Sequence, residues 1–176
     1  YFTSYVAPEE GRWCTTINTA DSVEALDPAK TKRLFTASEL GLEGVKDPWI
    51  LEENGTYHLF LSVAINTAAT SDSSHDTLDI FNTGECKSAT ALATSTDLDN
   101  WDWQGVILQP EGDTGWDKYC RRINSVLPQN GKYYAFYDGS EGHHQNYEER
   151  TGLAVSEDLK SWAVLTPKAP CITSSH

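Results

Sequence analysis

Apolar and polar residues alternate along this chain in short runs, and the runs come in pairs. Trp49-Ile50-Leu51 is followed by the turn Asn54-Gly55 and by Thr56-Tyr57-His58-Leu59-Phe60-Leu61. The same arrangement returns as Ser125-Val126-Leu127, the turn Asn130-Gly131 and Lys132-Tyr133-Tyr134-Ala135-Phe136-Tyr137. Period-two alternation interrupted by Asn-Gly predicts a β-hairpin at each place.

A third strand with a common ending follows each hairpin. Thr90-Ala91-Leu92-Ala93-Thr94-Ser95-Thr96-Asp97-Leu98 closes on Trp101, and Thr151-Gly152-Leu153-Ala154-Val155-Ser156-Glu157-Asp158-Leu159 closes on Trp162. A looser copy runs from Thr15 to Val23. The Ser-x-Asp-Leu turn leads to a fourth strand, Gly105-Val106-Ile107-Leu108 or Ala163-Val164-Leu165. Strand, tight turn, strand, loop, strand, turn, strand is a four-stranded antiparallel sheet, and its repetition predicts an all-β chain of the β-propeller kind.

About two and a half blades are expected. Residues 1–44 hold the end of one blade, 45–115 a full blade with a long insertion, 116–166 another full blade, and 167–176 the lead into the next. Rings close with roughly four to eight blades, so the remainder of the propeller is expected to lie outside this chain, which contains no Met even at position 1. Helix content should be very low, with Pro28-Ala29-Lys30-Thr31-Lys32 a turn before the strand Arg33-Leu34-Phe35.

Charge narrows the partners. The 176 residues carry a formal net charge of −13, which repels phosphate backbones and anionic bilayers and argues against nucleic acid or membrane as partner. No apolar run approaches the ~20 residues of a membrane helix. A neutral, polyhydroxylated ligand meets no such repulsion. Cys14, Cys86, Cys120 and Cys171 lack CxxC spacing; two disulfides in any of three pairings and a fully reduced state are equally compatible with them. An extracellular or periplasmic location is favoured over a cytoplasmic one.

Blade topology decides which residues meet. The first strand of an up-and-down blade starts on the rim where the second ends and the third begins. Asp47, heading a first strand, therefore shares a rim with the long segments 63–88 and 138–150. The second segment carries Asp138, Glu141, His143, His144, Tyr147, Glu148 and Glu149, and the start of its blade adds Trp116, Asp117, Tyr119, Arg121 and Arg122. Aromatic faces stack on sugar C–H surfaces, while carboxylates and Arg bind hydroxyls. Trp49 and Trp116, nearest the rim, are the candidate sugar platforms; Trp101 and Trp162 occupy equivalent repeat positions and read as core. Structural alternatives stand beside these readings: Asp before Pro is a common turn former, and the two arginines also suit a buried salt bridge between blades. Asp72, Asp76, Asp79 and His75 in the insertion 67–85 offer ligands of the kind Ca²⁺ takes, without EF-hand spacing; no other cofactor or metal is expected. Asn54-Gly55-Thr56 matches a glycosylation sequon but reads as turn chemistry.

On Val45-Lys46-Asp47-Pro48, Gly55-Thr56-Tyr57-His58-Leu59-Phe60, Tyr137-Asp138-Gly139 and the two Ser-x-Asp-Leu-x-x-Trp turns, the chain resembles the five-bladed propeller glycosidases, most closely glycoside hydrolase family 43 and its relatives, families 32, 117 and 130. The likeness covers most of residues 12–166. It implies three catalytic carboxylates, one from each of the first three blades. Asp47 matches the second-blade Asp that tunes the acid's pKa and orients the sugar. The first-blade base would precede residue 1. At the third-blade acid the chain departs from the pattern, reading Cys120-Arg121-Arg122-Ile123-Asn124, so Glu148, Glu149 or a carboxylate from outside the chain is expected to act instead. The implied activity is hydrolysis of O-glycosidic bonds of oligo- or polysaccharides by paired carboxylates. Catalytic candidates are Asp47, Glu148 and Glu149; substrate-binding candidates are Trp49, Trp116, Arg121, Arg122, Asp138, His143 and His144. One alternative is a phosphorylase of the family 130 kind, with Arg121, Arg122, His143 and His144 holding phosphate; another is a sugar-binding propeller without catalysis.

Overall fold

A computed structural model describes residues 1–173. The chain is all-β, with short 3-10 turns between strands. Strands β1 (Phe2–Ala7), β2 (Arg12–Ile17) and β3 (Lys32–Phe35) form an antiparallel sheet in that order. Next come β4 (Gly44–Glu53), β5 (Thr56–Asn66), β6 (Cys86–Ser95) and β7 (Asp102–Leu108), each antiparallel to the one before. A second set of four, β8 (Cys120–Gln129), β9 (Lys132–Ser140), β10 (Arg150–Ser156) and β11 (Ala163–Val164), repeats the pattern. One parallel pairing, Ser88 with Cys120, joins the two sets at the ends of β6 and β8.

The expected hairpins form as their turns dictate. Asn54 and Asn130 both have φ 52°, and the glycines after them have φ 76° and 74°, the doubly left-handed pair that two-residue hairpins favour. The Ser-x-Asp-Leu turns are near-copies of each other. Asp97 Oδ1 accepts from the backbone N–H groups of Asp99 and Asn100 at 2.9 and 2.7 Å, and Asp158 Oδ1 accepts from Lys160 and Ser161 at 2.8 and 2.7 Å. In each turn the Trp indole then donates to the Leu carbonyl at 3.1 Å.

The sheets are buried against one another face to face. On β5, Leu59, Leu61 and Val63 point to one interface, with Phe35, Val45, Ala89, Ala91 and Ala93. Phe60 points to the other, with Leu92, Ile123, Val126, Ala135, Tyr137 and Ala154. Alternating side chains thus fill two separate cores from one strand. Trp101 packs in the first core and Trp162 in the second.

Two details differ from the sequence reading. The first copy of the third strand ends at Ile17, not Val23, because Asn18 turns the chain: its Nδ2 donates to the Asp27 carbonyl at 2.7 Å and to Thr31 Oγ1 at 3.0 Å. Near the end, Ile172 bridges back to Thr151 on β10; residues 174–176, the close of the expected lead into another blade, lie outside the described residues.

Candidate active site

Strand register brings a charged row together. Arg122 on β8 lies directly opposite Asp138 on β9, which lies opposite Thr151 on β10. Glu149 immediately precedes β10. Side chains opposite each other in an antiparallel sheet share a face, so this row gathers on one side. Arg122 Nη2 donates to Glu149 Oε1 at 2.6 Å and stands 3.7 Å from Asp138 Oδ2. Asn124, in the irregular stretch of β8 between Ile123 and Ser125, donates from Nδ2 to Asp138 Oδ1 at 2.7 Å.

Asp47 reaches the same place from the neighbouring sheet. Lys46 pairs with Ser62 and Trp49 with Phe60, so Asp47 and Pro48 together oppose Leu61 alone. This is a β-bulge, where a Pro lacking its N–H is tolerated and a side chain is re-aimed. Asp47 takes φ 51°, and its side chain is 57% exposed. Its charge acts on both Arg122 and Asp138.

The electrostatics differ from one member to the next. Burial raises the pKa of Asp138; Arg122 and Asn124 pull it down, Glu149 and Asp47 push it up, and the net direction is upward. Burial also works against the Arg122 charge, but Cys120, Glu149, Asp138 and Asp47 outweigh it and keep the guanidinium protonated. Asp138 thus holds its proton more tightly than an isolated carboxyl does, beside the fixed Arg122 cation and the side chains of Glu149 and Asp47.

Arg121 is a correction. Successive strand residues point to opposite faces, so Arg121 turns inward while Arg122 turns to the row. Its Nε donates to Asp117 Oδ2 at 2.8 Å, its Nη2 to Asp117 Oδ1 at 3.2 Å and its Nη1 to the Gln109 carbonyl at 3.1 Å, a buried structural pair. Trp116 is a correction too. It is 7% exposed, its indole donates to the Thr166 carbonyl at 2.8 Å, and its ring stacks on Tyr137. Gly139 permits this, since a Cβ there would come within 2.4 Å of the indole. Trp49 tilts against Phe60, ring centroids 5.3 Å apart, in the core between the sheets. Trp116 therefore has no free face for a sugar, while Trp49 is half-buried against that core.

His143 and His144 sit on an exposed 3-10 turn. His143 stands edge-on to Tyr119, and His144 is 3.9 Å from Glu141. Their partners are loop residues, not the Arg122 row. Glu148 is exposed. Asp138 belongs to β9 and not, as expected, to the loop.

In the insertion, His75 is buried and its Nε2 meets Glu43 at 2.7 Å, with Arg12 donating to the same carboxylate at 3.0 Å; Asp79 accepts from Asn82. Among the described residues no cluster of three or more His, Cys, Asp or Glu is arranged to hold a metal ion. All four cysteines are free thiols, with Cys14, Cys86 and Cys120 buried. No described helix is long and apolar enough to cross a membrane.

Sequence reasoning missed Asn124, whose role depends on the irregularity in β8, and placed Asp117 on the rim although it is buried.

No family model and no curated protein matches the chain. Solved structures do. Similar folds include a β-1,2-mannobiose phosphorylase from Listeria innocua in complex with β-1,2-mannobiose (24% identity, TM-score 0.54, covering 86% of this chain and 35% of that one). They also include a Bombyx mori GH32 β-fructofuranosidase (16%, TM-score 0.55, 88% and 28%). A third is a family 117 glycoside hydrolase of Zobellia galactanivorans (16%, TM-score 0.53, 68% and 37%). The chain's structural neighbours are propeller-type glycosidases. The resemblance read from the sequence is borne out at the level of fold, and the chain spans about a third of the length of the structures it matches.

Proposed function

We propose that the chain carries part of the active site of a glycoside hydrolase, with its sheets serving as successive blades of a propeller. The observation that carries this reading is the gathering of Asp138 and Glu149 on the guanidinium of Arg122, with Asp47, from the neighbouring sheet, near enough for its charge to act on both Arg122 and Asp138. Hydrolysis of a glycosidic bond needs one carboxyl that still holds its proton near neutrality and others that do not. Asp138 is the proton donor in this reading, because burial and the neighbouring carboxylates raise its pKa. Glu149 is engaged by the Arg122 guanidinium at 2.6 Å, which positions it beside the donor. Asp47, exposed at its bulge, faces the sugar and adds to the charge that holds the proton on Asp138. Asp138 gives that proton to the glycosidic oxygen, the bond from this oxygen to the anomeric carbon breaks, and water adds its oxygen to that carbon while the proton it sheds restores the acid form of Asp138.

Hydrolysis is favoured over phosphorolysis by the state of the arginines. Arg121 is committed to Asp117, Arg122 is engaged by Glu149 and Asp138, and Lys46 stands 3.7 Å from Asp47, so each of these cations already has a carboxyl partner where a phosphate would have to bind. The test is release of reducing sugar from an oligosaccharide panel by the intact protein, with and without phosphate. Asp138→Asn and Asp47→Asn are each expected to lower turnover at least a hundredfold while leaving the fold intact. Full turnover in Asp138→Asn would remove the assigned donor, and strict dependence on phosphate would favour the phosphorylase.

A further inference from the structure

The loop between β9 and β10 holds an aromatic side chain where folding alone does not favour one. Residues 145–148 make a tight turn, closed by the Glu148 N–H donating to the Gln145 carbonyl at 2.9 Å. Asn146 at its second position has φ −61° and ψ 132°, and Tyr147 at its third has φ 73°. These are the angles of a type II turn, whose third position needs positive φ and is usually Gly or Asn. A Cβ there crowds the backbone. The tyrosine gains no burial in exchange, since it is 87% exposed. It neither suits its backbone nor fills a core, and backbone strain of this kind gathers at ligand-binding positions.

The turn is braced by the insertion of the neighbouring sheet. Asn146 Nδ2 donates to the Phe81 carbonyl at 2.8 Å and also reaches the Asn82 side chain. Asn82 Nδ2 donates to the Tyr147 hydroxyl at 3.4 Å, and the Tyr119 hydroxyl donates to the Phe81 carbonyl at 2.9 Å. Two long loops are thereby locked into one support. Two residues beyond Tyr147, Glu149 joins the carboxylate row.

We propose that Tyr147 is the stacking platform of this site and a determinant of its specificity, selecting glycans whose sugar ring presents a continuous C–H face. The proposal rests on the glycoside-processing reading above. A phenol ring held open to solvent on the loop that leads, two residues on, to Glu149 offers an apolar surface next along the chain to a polar one, and a sugar ring has one surface of each kind. Of the tryptophans expected in this role, Trp116 is buried and Trp49 is half-buried with its ring against Phe60, whereas the Tyr147 ring is open to solvent.

The backbone strain supplies an unusual test. Wild type, Tyr147→Phe, Tyr147→Ala and Tyr147→Gly of the intact protein are screened on a glycan array, and the best-bound oligosaccharide is titrated by calorimetry. Tyr147→Phe is expected to bind within about threefold of wild type, and the Ala and Gly variants at least about tenfold more weakly. Thermal unfolding of Tyr147→Gly is expected at the wild-type temperature or above, because glycine suits φ 73°. Wild-type affinity in Tyr147→Gly would overturn the platform while leaving the glycoside reading standing. A marked loss of thermal stability in that variant would also overturn it, by showing that the ring supports the fold. A wild type that binds no glycan on the array would overturn the glycoside reading and this proposal together.

Discussion

Arg122 reaches Glu149 across the full width of β9, its Nη2 donating to Oε1 at 2.6 Å while Asp138 lies between them in register. A cation in that place lets three carboxylates gather where they would otherwise repel. Its removal should therefore be felt by stability as well as by chemistry. Arg122→Met is expected to destabilise the protein by about 3 kcal/mol, the size seen when one partner of a buried ion pair is lost. Chemical denaturation of the variant checks this; an unchanged midpoint would mean that the carboxylates relax into solvent.

Asp138 should impose a pH dependence of a particular sign. Its folded pKa lies above the ordinary 3.8 because burial disfavours its anion. A raised folded pKa means that its contribution to stability is fully present below 3.8 and is lost as pH rises through the folded value. Asp138→Asn cannot ionise, so denaturant midpoints measured from pH 4 to pH 7 should fall less with rising pH in the variant than in wild type. Parallel curves would show that the carboxyl is not held neutral by the fold.

The two Ser-x-Asp-Leu turns should impose the opposite sign. Asp158 accepts backbone N–H bonds from Ser161 and Lys160, which draw its pKa down to about 2, and Asp97 is lowered by equivalent bonds. Groups with a depressed folded pKa stabilise above their ordinary value of 3.8 and lose that contribution as pH falls toward the folded one. Asp158→Asn keeps the turn's acceptor but not its charge. It is expected to flatten the loss of stability between pH 4 and pH 2, measured by acid unfolding.

Much of this architecture was legible because local chemistry and fold agree. Asn-Gly at 54–55 and 130–131 admits few conformations, and the alternation around it leaves one register that buries Leu59 and Ala135. The candidate site was legible in part. Topology alone brought Asp47 to the side of Arg122 and Glu149. It failed where a single residue of parity decides the outcome. Arg121 and Arg122 look alike in sequence, yet one strand step sends the first into a buried pair with Asp117 and the second to the site. Trp116 was misplaced because its burial depends on Gly139, and the close approach of strand and indole leaves no periodic signature. Asn124 was invisible because the irregularity of β8 that aims it is a feature of the strand pair, not of the residue.

The buried pair behind the site offers a last test, in which stability and site geometry are expected to part. Tyr137 is fully buried, and its hydroxyl donates to Asp117 Oδ2 at 2.8 Å, the same oxygen that accepts from Arg121 Nε. Asp117 thus has three hydrogen-bonded contacts that fix β8 to β9 from behind. Tyr137→Phe removes one donor and leaves the ring to stack on Trp116. The carboxylate keeps both Arg121 contacts, so the expected loss is about 1.5 kcal/mol, that of one hydrogen bond to a charged group, and not the larger penalty of an orphaned ion. Asp117→Ala strands Arg121 in the interior and should cost about twice as much or more. If the two variants unfold at the same denaturant concentration, the hydroxyl is carrying the pair, and the strand step that separates Arg121 from Arg122 would matter less to the fold than its geometry indicates.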